Sequence, residues 1–328
     1  MNVAVLLLSG MRLYDLAIAV EVFQSRAQDH LPPNQVELVG PTSPAQLAGG
    51  ITIPVAPLED CTDPDVVLIP GFDDVASTLA TPAGPAAAAA LDFLRARHAS
   101  GVELASLCTG AFLLAESGLL DGVRATTHWR YAPALQERHR SIQVDPDVIY
   151  VHDAGRRLWT SAGVTAGVDM CLAIAQSHLG AATAAAMARS MVLPVTRSGG
   201  QAQYVPPRAR DRDLPGADLD RLRIAVHQDL TAEWTVARLA ITAGLSRRTL
   251  QRRFTELGLS PTAWLIEQRV AAAQELLEST TAGVEQIAAQ VGFGSSDAMR
   301  KHFQRLVSVS PSRYREAFGL TRPTPGGG

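Results

Sequence analysis

The chain has 328 residues, of which 47% are hydrophobic, and a formal net charge of −3. That length holds one to three domains with full cores, and that apolar share excludes general disorder. Three scattered cysteines, Cys61, Cys108 and Cys171, exclude a disulfide framework and a zinc site, and predict no metal or cofactor and a reducing cytoplasm.

Residues 1–8 are apolar, carry no basic flank and end at Ser9-Gly10. They predict a buried first strand, not a signal peptide. No apolar run reaches 18 residues, so no membrane partner is expected and the localisation expected is cytoplasmic. Over the first 200 residues, short β-rich runs at 3–8, 36–39, 66–69 and 102–107 alternate with alanine-rich stretches such as 86–97 and 109–117. Two further strands are expected at 148–151 and 158–161, and helices at 168–178 and 182–191. This alternation predicts an α/β domain, a mostly parallel sheet flanked by helices.

Cys108 falls where the run 102–107 meets the helix 109–117. A strand–nucleophile–helix elbow holds a side chain above the sheet's C-terminal edge. The helix N-terminus after it is expected to stabilise a thiolate and lower the thiol's pKa. His128 follows in Ala-Thr-Thr-His-Trp, and Asp15 lies just after the first strand. Cys61 and Cys171 read as packing residues; Asp169 could cap or pair structurally.

These residues resemble the ThiJ/PfpI superfamily. The match runs through Cys108-Thr-Gly-Ala-Phe-Leu-Leu-Ala-Glu-Ser-Gly, Thr127-His128-Trp129, Thr160-Ser-Ala-Gly163, Ala166-Gly167-Val168-Asp169 and Arg197-Ser-Gly-Gly-Gln-Ala-Gln-Tyr204. The resemblance implies a class I glutamine-amidotransferase-like, flavodoxin-like fold. It also implies a site of Cys108, Asp15 and His128, with Gly71 offering a backbone N–H beside the thiol. Ile18-Ala19 stand where many relatives have Gly-Pro before Glu21-Val22-Phe23, which leaves Asp15 and Glu21 as alternatives for the carboxylate facing the thiol. Thr109 stands where enzymes of the superfamily often have histidine, which weakens a peptidase or amidase reading and makes Cys108 part of a vestigial or ligand pocket.

Composition changes at Tyr204. The stretch 205–218 carries three prolines, alternating charges and no periodicity, and reads as a linker between a domain at 1–204 and an all-α domain at 219–320, with a tail at 321–328. The first domain is acidic, whereas 220–320 has a small excess of basic residues, nearly all arginine; Lys301 is the chain's one lysine. A locally basic module suits phosphate neutralisation.

That module repeats itself. Val236-Ala-Arg-Leu-Ala240, Ala243-Gly-Leu-Ser246, Leu250 and Phe254 are matched by Val284-Glu-Gln-Ile-Ala288, Val291-Gly-Phe-Gly294, Met299 and Phe303. The offset is 48 up to the glycine and 49 beyond it. Helix, glycine turn and second helix is the helix-turn-helix pattern, and two in tandem could place two helices in neighbouring major grooves. Ser246 is a good N-cap for a helix to Leu257 that buries Leu250, Phe254 and Leu257. Its exposed face carries Arg247, Arg248, Gln251 and Arg252. The second reading helix starts near Ser295 or Ser296, buries Met299, Phe303 and Leu306, and exposes Asp297, Arg300, Lys301 and Gln304. Arginine can pair bidentately with guanine and glutamine with adenine; Asp297 could accept from cytosine or cap its helix. The stretch 261–277 predicts a helix joining the halves, and Ser-Pro-x-x-aromatic closes each copy at Trp264 and Tyr314.

These residues resemble the AraC/XylS-type DNA-binding domain, and the chain as a whole is similar to GlxA-type regulators. The resemblance implies double-stranded DNA and an unidentified small-molecule effector as partners, a homodimer, and possible contact with RNA polymerase. The function expected is a non-enzymatic transcriptional regulator that senses a small molecule. Two alternatives stay open: a cysteine-dependent hydrolase or hydratase, and a regulator that senses oxidation of Cys108.

Overall fold

Asn2–Leu6 (β1) is buried from Val3 onward, so both of its faces need cover. It therefore sits inside a seven-stranded sheet, whose strands lie side by side in the order 150–153, 158–161, 103–106, 66–69, 2–6, 35–40 and 56–57. The computed structural model describes residues 1–24, 34–61, 63–75, 84–193, 197–200, 203, 216–307 and 309–319. The expected linker lies outside these up to residue 215, as does the tail 321–328. The chain forms two compact units, Met1–Gln203 and Tyr204–Gly328.

In the first unit, α1 (Leu13–Phe23) follows β1 and leads to β2 (Gln35–Gly40). The small strands β3 (Ala45–Gln46) and β4 (Thr52–Ile53) pair with each other, and β5 (Ala56–Pro57) closes one sheet edge. Then come β6 (Val66–Ile69), α2 (Pro85–Ala99), β7 (Glu103–Ser106) and α3 (Gly110–Glu116). A small parallel pair, β8 (Arg124–Ala125) and β9 (Gln143–Val144), flanks α4 (Ala132–Arg138). The hairpin β10 (Tyr150–Asp153) and β11 (Leu158–Ser161) precedes α5 (Thr165–Leu179) and α6 (Ala181–Ser190).

Every pairing in the large sheet is parallel except β10 with β11. The carboxyl ends of β1, β6, β7 and β11 therefore converge on one edge, where ligands sit in open α/β sheets. The strand expected at 148–151 begins only at Tyr150. The Ile149 amide donates to Gly199 O at 3.0 Å, outside the sheet ladder, whereas Tyr150 pairs with Ser161.

The second unit is helical: α7 (Ala217–Gln228), α8 (Val236–Ala243), α9 (Arg247–Glu256), α10 (Pro261–Ser279), α11 (Val284–Gln290), α12 (Ser296–Val307) and α13 (Pro311–Phe318). Hydroxyl caps start most of them. Thr235, Ser246, Ser260, Ser295 and Ser310 each accept the N–H three residues on, a contact worth about 1 kcal/mol apiece. At α11 the cap position is Gly283, and Gln286 Oε1 accepts the Gly283 N–H instead.

Each half has its own core. Leu239, Leu250, Phe254 and Trp264 are buried in the first, and Ile287, Met299, Phe303 and Tyr314 in the second. The closing motif works alike in both: proline opens a helix and the aromatic three residues later packs on the half's phenylalanine. The Phe254–Trp264 ring centroids are 5.7 Å apart and those of Phe303–Tyr314 5.4 Å. Leu257 and Leu306, expected inside, are half-buried; Val307 takes the interior place in the second half.

Candidate functional site

Cys108 occupies the turn between β7 and α3 with φ +52°. Side chains rarely adopt this left-handed conformation, so the surroundings must hold it there. They do: its N–H donates to Ser161 O at 3.0 Å and its carbonyl accepts from Thr127 Oγ1 at 2.7 Å. Gly163 lies against it so closely that an added Cβ would come within 2.7 Å of Sγ.

Of the two candidate carboxylates, Asp15 is the one at the elbow. It is fully buried in the first turn of α1, and Oδ2 accepts the Gly71 N–H at 2.9 Å. Glu21 is exposed. Gly71 is wedged among Asp15, Thr109 and Cys108, where a Cβ would lie 2.8 to 3.0 Å from all three. The expectation that Gly71 offers its N–H beside the thiol is therefore corrected, because Asp15 takes it. The neighbouring Phe72 N–H is also occupied, by Thr109 Oγ1 at 2.7 Å; that hydroxyl donates back to Phe72 O at 2.8 Å. Thr109 is a clasp on the 70–72 loop.

The expected low thiol pKa is also corrected. Burial, reinforced by the charge of Asp15, pushes Cys108 up to about 11, against smaller opposing effects from Arg12 and Thr109. A helix N-terminus contributes roughly 0.3–1 kcal/mol, whereas burying a charge shifts a pKa by up to several units. Here burial wins. Burial likewise raises Asp15 against the Gly71 hydrogen bond, Arg12 and the nearby Val164 amide. Oδ1 of Asp15 is buried without a hydrogen-bond partner among the described residues.

With a raised folded pKa, the neutral thiol is the favoured form below the ordinary value of about 8.5, and its contribution to stability is lost as pH climbs toward 11. Alkylation of Cys108 by N-ethylmaleimide should therefore accelerate about tenfold per pH unit from 7 to 10. A rate already level at pH 8 would contradict this.

His128 is half-buried, with its ring against Trp129 and Tyr131 at 5.2 and 6.1 Å. Its Nδ1 accepts the Arg130 N–H at 3.3 Å, and its pKa is lowered by burial, then by Arg130 and Arg12. Arg12 is thus a cation felt by Asp15, Cys108 and His128 alike, and sequence reasoning passed over it.

Gln203 was also missed. It is buried, and its Nε2 lies within reach of Thr127 O at 2.9 Å, Val148 O at 3.0 Å and Thr126 Oγ1 at 3.3 Å. Its Oε1 accepts the Trp129 N–H at 2.9 Å. Thr127 joins the two features, with its hydroxyl on Cys108 and its carbonyl on Gln203. Arg197, earlier in the same run, pairs with Asp169 at 2.7 Å and also donates to Thr165 Oγ1. Asp169 is therefore a structural partner. Cys61 and Cys171 are fully buried.

In the second unit, Ser246, Arg247, Arg248, Gln251 and Arg252 all lie exposed on or at the cap of α9. Arg252 reaches Glu256 at 3.6 Å across one turn, an exposed pair that is easily given up. On α12, Asp297, Arg300, Lys301 and Gln304 are exposed, Ser295 is the cap and Ser296 is half-buried. Asp297 is not the cap; its Oδ1 accepts from Arg300 Nη1 at 3.0 Å.

The DJ-1/PfpI family model matches residues 1–177, and the helix-turn-helix domain model matches residues 239–317. The transcriptional regulator GbdR of Pseudomonas aeruginosa is 28% identical over 70% of this chain, and the match spans 62% of its own length. The regulator CdhR of the same species is 31% identical over 73% of this chain and 71% of its own. The isonitrile hydratase of Pseudomonas putida is 36% identical over 47% of this chain and 64% of its own. No helix among the described residues is long and apolar enough to cross a membrane.

Proposed function

The chain belongs to the DJ-1/PfpI family and carries a helix-turn-helix domain, and we propose on that footing that it is a DNA-binding transcriptional regulator with a small-molecule sensor in its first unit. The observation that carries the reading is the duplicated, hydroxyl-capped helix-turn-helix whose first reading helix exposes Arg247, Arg248, Gln251 and Arg252 on one face. The two reading helices differ in composition, so the site read is asymmetric. A homodimer would set two such domains on one operator.

The test is gel-shift titration on duplexes selected from a random pool, with salt varied. Arg252→Ala should weaken binding about 10- to 100-fold, as loss of a bidentate base contact does. Lys301→Ala should cost only a few-fold and flatten the salt slope by about one. Equal losses would sink the assignment, and no salt-sensitive binding would sink the reading.

The elbow is the proposed effector site. Half-buried Arg12 would favour an effector with an anionic group, and Thr127 and Gln203 would carry its arrival to the chain that follows. Gln203→Ala leaves the Trp129 N–H without its partner and the carbonyls of Thr127 and Val148 with only the single Thr126 hydroxyl to share. Unmet buried groups cost about 1–3 kcal/mol, so local opening and alkylation of Cys108 should rise about tenfold. Cys171, fully buried in α5, reports global opening and should stay unchanged. An unaltered Cys108 rate would overturn the link.

A second reading, turnover at Cys108, is favoured by the likeness to isonitrile hydratase. A thiol pushed up to about 11 and the occupied Gly71 and Phe72 amides speak for binding instead. Consumption of an isonitrile that is lost in Cys108→Ser would decide for the enzyme.

A further inference from the structure

The two halves of the helical unit have separate cores and share α10, which puts Trp264 and Leu265 into the first core and Val270, Ala273 and Leu277 into the second. Between the two groups one polar side chain reaches the first half. Arg269, half-buried in the middle of α10, donates from Nε and Nη2 to Leu230 O at 3.2 and 3.0 Å, and from Nη2 to Ala232 O at 3.2 Å. Leu230 and Ala232 belong to the loop that leads from α7 into the first helix-turn-helix.

The turn of the second helix-turn-helix closes on the same spot. Gly292 has φ +82°, and a Cβ there would overlap Leu230 O and lie 2.9 Å from Arg269 Nη2. The corresponding glycine of the first copy, Gly244, has φ +69° and nothing nearer than Arg221 Nη1 at 3.9 Å. The repeat is thus broken in one respect. The second turn glycine is packed onto a carbonyl of the first half, and the linking helix's guanidinium holds the same carbonyl.

We propose that Arg269, with Gly292 and Leu230 O, is the brace that fixes the spacing of the two reading helices, and is therefore a specificity-determining positioning residue for DNA. A helix of 19 residues such as α10 is about 28 Å long, somewhat short of the roughly 34 Å between major-groove segments one turn apart. Small rotations about it would move α12 off its bases. A guanidinium on two carbonyls across the junction stops that rotation, and a flush glycine removes the slack. The brace rests on the DNA-binding reading for its purpose, though not for its existence.

Two measurements on the full chain test it. The first needs no DNA. Spin labels on Thr255→Cys and Arg305→Cys, both exposed sites in a chain whose own cysteines are buried, report the distance between the halves. The distribution should be narrow in the otherwise natural chain, clearly broader with Arg269→Ala, and largely restored with Arg269→Lys, which keeps a donor. An unchanged width in Arg269→Ala overturns the brace. The second uses a duplex selected by the natural chain, with and without one base pair inserted between its two contacted segments. The natural chain should lose about 30-fold or more on insertion, the scale of a lost base contact, and Arg269→Ala less than about fivefold. An equal insertion penalty in both overturns the proposal. Gly292→Ala should behave as Arg269→Ala does, and serves where that variant folds poorly. Failure of the natural chain to bind any selected duplex would overturn the DNA-binding reading and leave the distance result to decide the brace.

Discussion

Phe254→Ala is expected to lower the stability of the first helix-turn-helix half by about 3–5 kcal/mol and to abolish DNA binding with it. Phe254 is fully buried among Leu239, Leu250, Trp264 and their neighbours, and its ring leans on Trp264. The core is small, so few side chains can move in to fill the void. Its carbonyl also accepts the Leu257 and Leu259 amides that close α9; the backbone can keep those bonds only while the helix stays packed. Because the second core is separate, Phe303 and its partners should hold while the first half melts. Denaturant unfolding followed by circular dichroism and by the fluorescence of a chain that keeps Trp264 as its single tryptophan should give coincident transitions with Phe254 in place and separated ones in the variant. A single coincident transition in Phe254→Ala would mean that the halves share one core after all.

Much of this was legible in the sequence because it is local. Ser246 is a cap by the rule that makes a hydroxyl the best start of a helix, and it is one in the structure. The parallel strands followed from unbroken apolar runs, and the elbow from a run that ends at a cysteine before a helix. What stayed hidden depends on partners distant in the chain. Gln203 meets Trp129 across 74 residues, and Arg269 meets Leu230 across 39. Nothing in the spacing of either residue reveals such a partner. The thiol was misread for a different reason. The helix N-terminus after Cys108 is a sequence-visible influence, while burial is a property of the finished fold and outweighs it. Asp15 raises the thiol further, so the one feature that made a reactive dyad plausible works against a thiolate here.

The same distinction governs how the two units divide their work. In the helical unit the chemistry is presented outward on a braced scaffold, and the charged groups of α9 and α12 keep their ordinary solvation until DNA arrives. In the α/β unit the candidate chemistry is turned inward. Cys108, Asp15 and Thr109 are all fully buried, and the amides around them are already satisfied. A site of that kind is suited to registering a change in packing. Thr127 then connects the elbow to Gln203, the last residue of the first unit.

Gly163→Ala should therefore be strongly damaging to the first unit. Gly163 has φ +83°, where any side chain costs about 1–2 kcal/mol. An added Cβ would overlap Cys108 Cβ and come 2.7 Å from its Cα and Sγ, and such overpacking costs about 1–3 kcal/mol more. Cys108 cannot retreat, since its N–H is held by Ser161 and its carbonyl by Thr127, and its own φ is already +52°. Together this predicts a loss of roughly 3–4 kcal/mol in thermal unfolding, with Cys108 expelled from its place and alkylated far faster. If the contact with Cys108 is the cause, Cys108→Gly should rescue it: that change removes both the clashing Cβ and the strained φ of the cysteine. The double-mutant cycle should then show a favourable coupling above about 1 kcal/mol. Additive losses would place the damage in the Gly163 turn itself, and would argue that Cys108 and the 162–164 loop can move independently. A sensor built on their contact could not work in that way.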